Sequence, residues 1–239
     1  MNQGPPLGLA ARMRTLLHLR KYEFLLAALL LHLFIAVVLP DLDFYTRLVW
    51  PLNMVLLGLF SVGIFAGRSR GHRALKNMMS LLVIAFPVIP WFVQPSPTLM
   101  VVLSVSYVAF FVVILVEVMR HLLRPSYINI DLVSAAICGF FLLLETSIFL
   151  MQALYYAVPG GFRGIDSASF TTVYLDLVYF CSIVITSIGF GDITPAHHIT
   201  KLATSVVGIT GQTYSVVLVG ILISKYTSAT GQHGDRDGN

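Results

Sequence analysis

Residues 186–195 read Thr-Ser-Ile-Gly-Phe-Gly-Asp-Ile-Thr-Pro, and what they offer chemically is backbone oxygen. A hydrated cation that leaves water must exchange its shell for other oxygens. The densest fixed oxygens a protein can supply are successive peptide carbonyls turned toward one axis. Glycine accepts the left-handed dihedrals that such a strand needs, so Gly189 and Gly191, alternating with Ile188 and Phe190, suit it. A single strand cannot encircle an ion. The reading therefore calls for copies around a symmetry axis, and a homotetramer, in which each chain meets three identical subunits, is the expected assembly.

Other side chains that carry chemistry are scattered. Glu145 lies within a long apolar run, where an ionisable group is a functional candidate by default; the structural alternative is a carboxyl facing Ser, Thr or Tyr inside a bundle. His32 is expected to be hydrogen-bonded within the bundle too. His197-His198 offers either a pH-sensitive or metal-blocked pair or an ordinary solvated loop. Cys138 and Cys181 have no metal-ligand spacing around them and read as buried inert thiols. No nucleotide loop, hydrolytic triad or metalloprotease helix occurs, so neither an enzymatic step nor a cofactor is expected.

The elements that must position the glycine stretch are apolar helices. The chain has 239 residues, 57% hydrophobic and 11% charged, where soluble domains run near a quarter charged. Counted in bilayer crossings of about 20 apolar residues, apolar runs at 24–39, 52–66, 78–93, 99–116, 132–157 and 202–224 predict six transmembrane helices. The run at 170–185 is shorter, carries Asp176 and enters the glycine stretch directly; it reads as a re-entrant helix, since non-helical backbone at membrane depth survives only where protein or a watery cavity surrounds it. The fold class is thus an all-α membrane protein. The basic N-terminus followed by an apolar run imitates a signal peptide, but the run is long and lacks a small-x-small cleavage site, so it reads as a retained first span.

Lys and Arg set the orientation. Arg12, Arg14, Arg20 and Lys21 precede the first span, Arg68, Arg70, Arg73 and Lys76 follow the second, Arg120 and Arg124 the fourth, and Lys225 the last; the alternate loops hold Arg47, Arg163 and Lys201. By the positive-inside rule both termini are cytoplasmic in a multi-pass protein of the cell membrane, and 159–198 opens outward. The formal charge of +4 then reflects cytoplasmic loops rather than a nucleic-acid partner. Trp50 and Trp91 fall at outer ends, as an aromatic belt would have them.

Ser187-Ile-Gly-Phe-Gly-Asp192 resembles the potassium-channel signature, and with an apolar helix on either side the resemblance covers residues 130–226. It implies a tetrameric pore in which the backbone carbonyls of Ser187, Ile188, Gly189 and Phe190, with the Ser187 hydroxyl, bind dehydrated K+. Thr186 supports the strand, and Gly191 and Asp192 complete the outer mouth. Two departures stand out: Ser187 replaces the usual Thr and loses a methyl, and Phe190 replaces the usual Tyr. Phe180 cannot offer the indole donor often found at its place, so packing is expected to replace hydrogen bonding there, with Tyr179 a partner for Asp192. The re-entrant helix would add a negative C-terminal pole of about half an electron, its N-terminus capped by Asp166, Ser167 or Ser169.

On the last span Gly208, Gln212, Ser215 and Val219 recur on one face, expected to line a cavity or to permit close helix packing. Gly211 stands where channels of this type place a hinge. The fourth span has no Lys or Arg every third residue; Glu117, Arg120 and His121 lie only at its cytoplasmic end, so intrinsic voltage dependence is expected to be small. Gly63 to Gly67 is a GxxxG match read as helix packing. The resulting layout is a cytoplasmic segment 1–21, a four-span domain 22–124 without gating charges, a pore domain 125–226 and a short tail 227–239. The function expected is passive, potassium-selective conduction, in contact with membrane lipid. The alternatives are a weakly selective cation channel, a non-conducting subunit that joins a related channel, and an uptake-transporter subunit; the last carries four filter-like hairpins per chain, and this chain has one.

Overall fold

A computed structural model describes residues 20–39, 41–64, 81, 96–123 and 130–234. The chain begins with α1 (Lys21–Val38). Asp41 then accepts from the Asp43 and Phe44 amides at 2.9 and 3.1 Å, which starts a single turn, Leu42–Phe44, that passes through a π-helical turn, Tyr45–Val49, into α2 (Trp50–Ile64). Next comes α3 (Pro97–Leu122), where the Ser96 hydroxyl accepts from the Leu99 amide at 3.2 Å and proline fills the first turn, a position at which its missing N–H costs nothing. The rest is α4 (Ile130–Ala157), α5 (Phe170–Ile185) and α6 (His198–Gly234), with β1 (Phe162–Arg163) antiparallel to β2 (Thr194–Pro195).

Among the described residues, three helical stretches, Pro97–Leu122, Leu132–Ala157 and His198–Ile221, are long and apolar enough to cross a membrane. With 16 residues, α5 spans about 24 Å at 1.5 Å per residue, less than a hydrocarbon core of about 30 Å. The expected span 78–93 lies outside the described residues, apart from Leu81, as do Arg12, Arg14, Arg68, Arg70, Arg73, Lys76, Trp91, Arg124, residues 65–67 of the GxxxG match, and both chain ends.

At the centre α4 touches α1, α3, α5 and α6. Tyr107 and Phe111 of α3 stack on Phe149 of α4 with ring centroids 4.7 and 5.7 Å apart. Lipid tails are as apolar as leucine, so helices associate in a membrane through close packing and polar contacts rather than hydrophobic burial. Both devices are present. Gly139 of α4 lies against the Tyr214 ring of α6, where a Cβ would collide with the hydroxyl, and that hydroxyl donates to the Ala136 carbonyl at 2.6 Å. Glu145 of α4 does not face a hydroxyl first; its carboxylate lies 2.7 Å from Nδ1 of His32 on α1, and both side chains are fully buried. The Tyr174 hydroxyl of α5 approaches the same ring nitrogen at 3.5 Å. In contrast α6 shows Leu202, Ile209 and Val216 about 70% exposed.

Candidate functional site

The start of α5 is built by its own polar residues. Ser169 is the cap: its hydroxyl accepts from the Thr172 amide at 3.0 Å, and the Thr172 hydroxyl accepts from the Ser169 amide at 3.0 Å, a reciprocal box that satisfies two otherwise orphaned donors. Asp166 stands one turn earlier, and its amide donates to the Asp176 carboxylate at 2.7 Å. The charge that marks α5 as a poor crossing helix thereby ties the preceding loop to it.

At the other end α5 stops without a glycine. The Ser187 amide donates to the Val184 carbonyl at 3.1 Å and the Ile188 amide to the Ile183 carbonyl at 2.8 Å, joined by the Gly189 amide at 3.2 Å. This is the paired closure of a Schellman ending, with Ser187 in the left-handed position at φ 61°. A planar trans peptide points its N–H and C=O in opposite directions, and there are no cis bonds among the described residues. Since the amides of residues 187–189 point back at α5, the carbonyls of Thr186, Ser187 and Ile188 point away from it. Positive φ recurs at Gly189 (57°) and Gly191 (84°), while Ile188 and Phe190 keep the ordinary sign. An alternation of hand keeps successive peptide planes presenting the same edge. The closure also occupies the carbonyls of Ile183 and Val184, so the negative pole of α5 is weaker than that of a bare helix end, whose charge resides in unsatisfied groups.

The outer end of the strand is held from two sides. The Tyr179 hydroxyl donates to the Asp192 carboxylate at 2.7 Å, and this bond holds the carboxyl below the usual range. Gly164, at φ 84°, lies so close to the Asp192 carbonyl that a Cβ would collide with it. The β1–β2 pair sets Phe162 opposite Pro195, and the Gly161 carbonyl accepts from the Ala196 amide at 2.8 Å and the Thr200 hydroxyl at 2.7 Å. Phe180 is buried edge-on against Phe162, centroids 5.7 Å apart. Phe190 is 71% exposed, so it is not packed on α5. The rings of His197 and His198 sit 4.1 Å apart beside the Thr200 cap.

The inner end meets α6. A Cβ on Gly211 would stand 2.8 Å from Cγ2 and 3.2 Å from Cα of Ile185, whereas one on Gly208 would meet Val184 at an ordinary 3.6 Å. Gly211 is thus a close-approach residue, and α6 runs through it as continuous helix. One residue on, the Gln212 amide nitrogen donates to the Ser187 hydroxyl. Ser215 returns its hydroxyl to the Gly211 carbonyl at 3.1 Å, and Val219 is half exposed. The structure therefore brings together Ser187, Gln212 and Gly211 at one end of the strand and Tyr179 and Asp192 at the other. Neither the left-handed Ser187 nor its bond to Gln212 has a local signal in the sequence, because the partners are 25 positions apart.

No curated protein and no solved structure matches the chain. Residues 135–228 match the family model of ion channels, so the segment running from α4 through α5 and the alternating strand into α6 is similar to an ion-channel domain.

Proposed function

We propose that the protein is a potassium-selective channel, a homotetramer of six-span subunits in the cell membrane with cytoplasmic termini. The observation that carries the reading is the alternation of left- and right-handed residues from Ser187 to Gly191, immediately after a helix too short to cross and within the segment matching ion channels. A strand of this hand sequence, repeated by four copies, makes a stack of carbonyl rings that replaces the hydration shell of a large monovalent cation. The exposed apolar face of α6 supports assembly, since it leaves Ile209 and Val216 to be covered by neighbours or lipid.

Weak selectivity is the second reading, favoured by Phe190: its side chain makes no hydrogen bond to α5 and stands out from the subunit. Purified full-length protein in liposomes separates the two. Selective conduction gives K+ flux and a reversal potential that follows the K+ gradient in mixed Na+ and K+. A reversal potential near zero under opposed gradients supports the weakly selective reading, and no flux refutes both.

A further inference from the structure

The bond between Gln212 and Ser187 ties α6 to the start of the strand. Ser187 sits at φ 61°, where a residue with a Cβ is less stable than glycine by about 1–2 kcal/mol. Glycine would suit the backbone, yet the position holds a hydroxyl. A left-handed non-glycine residue at a site of function points from strain to role. Serine is the smallest residue that brings a hydroxyl there.

The hydroxyl of serine has a weakness. Without the methyl of threonine it samples three staggered χ1 wells, and only one aims Oγ in a given direction. Gln212 removes that freedom by donating an N–H to Oγ. A hydroxyl oxygen has two acceptor lone pairs; one receives the amide, and the other remains for an ion. Its reach depends on the close approach of α6 to α5 at Gly211, where even a methyl would strike Ile185. Resting on the channel reading above, we propose that Gln212 is the positioning residue of the innermost ion site: it fixes the Ser187 hydroxyl, and through it the affinity and selectivity of that site, without needing to touch the ion itself.

The test uses full-length protein in planar bilayers with block by Ba2+ from the cytoplasmic side. Ba2+ is close to K+ in size with twice the charge, so it reports the oxygens at the inner end. Gln212→Met keeps the length of the side chain and loses the amide; Gln212→Asn keeps the amide and loses the reach. Both are expected to weaken Ba2+ block about tenfold and to lower the K+/Na+ permeability ratio, while size-exclusion elution of the assembly stays at the wild-type position. Ser187→Ala is expected to do the same, and the double variant Ser187→Ala/Gln212→Met to do no more than either alone, because one interaction is being removed twice. Additive effects, or wild-type block and selectivity in both Gln212 variants, overturn the proposal while leaving a selective wild-type channel standing. A wild-type protein without K+ current overturns the channel reading, and this proposal with it.

Discussion

Breaking the His32–Glu145 pair should be far more damaging than removing it. The two groups are 2.7 Å apart at zero exposure on α1 and α4, and each keeps one further polar atom, His32 Nε2 and Glu145 Oε2, without a hydrogen-bond partner among the described residues. Replacing Glu145 by leucine leaves an imidazole with both nitrogens unpaired except for the 3.5 Å approach of Tyr174. Removing one member of a buried pair costs about 3–5 kcal/mol, whereas replacing both by apolar residues of similar volume is neutral or stabilising. At about 2–4 °C per kcal/mol for a chain of this size, Glu145→Leu is expected to lower the melting temperature by about 10 °C. His32→Leu should do much the same, and the double variant should recover to within a few degrees of wild type. Intrinsic fluorescence during thermal ramping of the full-length protein in detergent measures all three. A double variant that melts as low as the single ones would show that shape, not the polar pairing, holds α1 to α4, and the reasoning would fail.

The Asp192 carboxyl is held below its ordinary range by the Tyr179 hydroxyl. Its bracing of the strand is therefore complete above the ordinary carboxylate value of about 4 and is lost only as pH falls through the lowered one; if the protein conducts as proposed, Tyr179→Phe should move the loss of ion flux on acidification upward, toward that ordinary value, and an unshifted acid limb in flux titrations would count against the contact. Gly211→Ala should destabilise by about 1–3 kcal/mol through overpacking on Ile185, while Gly208→Ala, with ordinary spacing to Val184, should melt like wild type in the same fluorescence assay. Ser169→Ala removes the cap of α5 and should cost about 1 kcal/mol, read again as a lowered melting temperature.

Helix α5 was the most legible element. The expected run 170–185 coincides with Phe170–Ile185, because a serine cap opens it and the apolar run ends where the glycine stretch follows, and both signals are local. Apolar runs located the other described helices but not their ends: α3 continues past residue 116 to Leu122, since Glu117, Arg120 and His121 are good helix residues that fall outside an apolar count. Glu145 and His32 were each recognisable as polar residues in greasy surroundings, but their pairing was not, because it spans 113 positions and depends on which faces α1 and α4 share. Gly211 shows the opposite case. Its place in the chain invites a hinge, and only the position of Ile185 shows that a close approach is what it serves in this structure.

The strand from Ser187 to Asp192 is anchored at both extremities: Ile183 and Val184 grip its first half, and Tyr179, Gly164 and the β1–β2 clasp grip its finish. Like a cable slung between two piers, it cannot change its sag at one rung without redistributing it along all the others. The spacing of successive carbonyls is thus set jointly, by the separation of the anchorages. A disturbance at either pier should register at the far one.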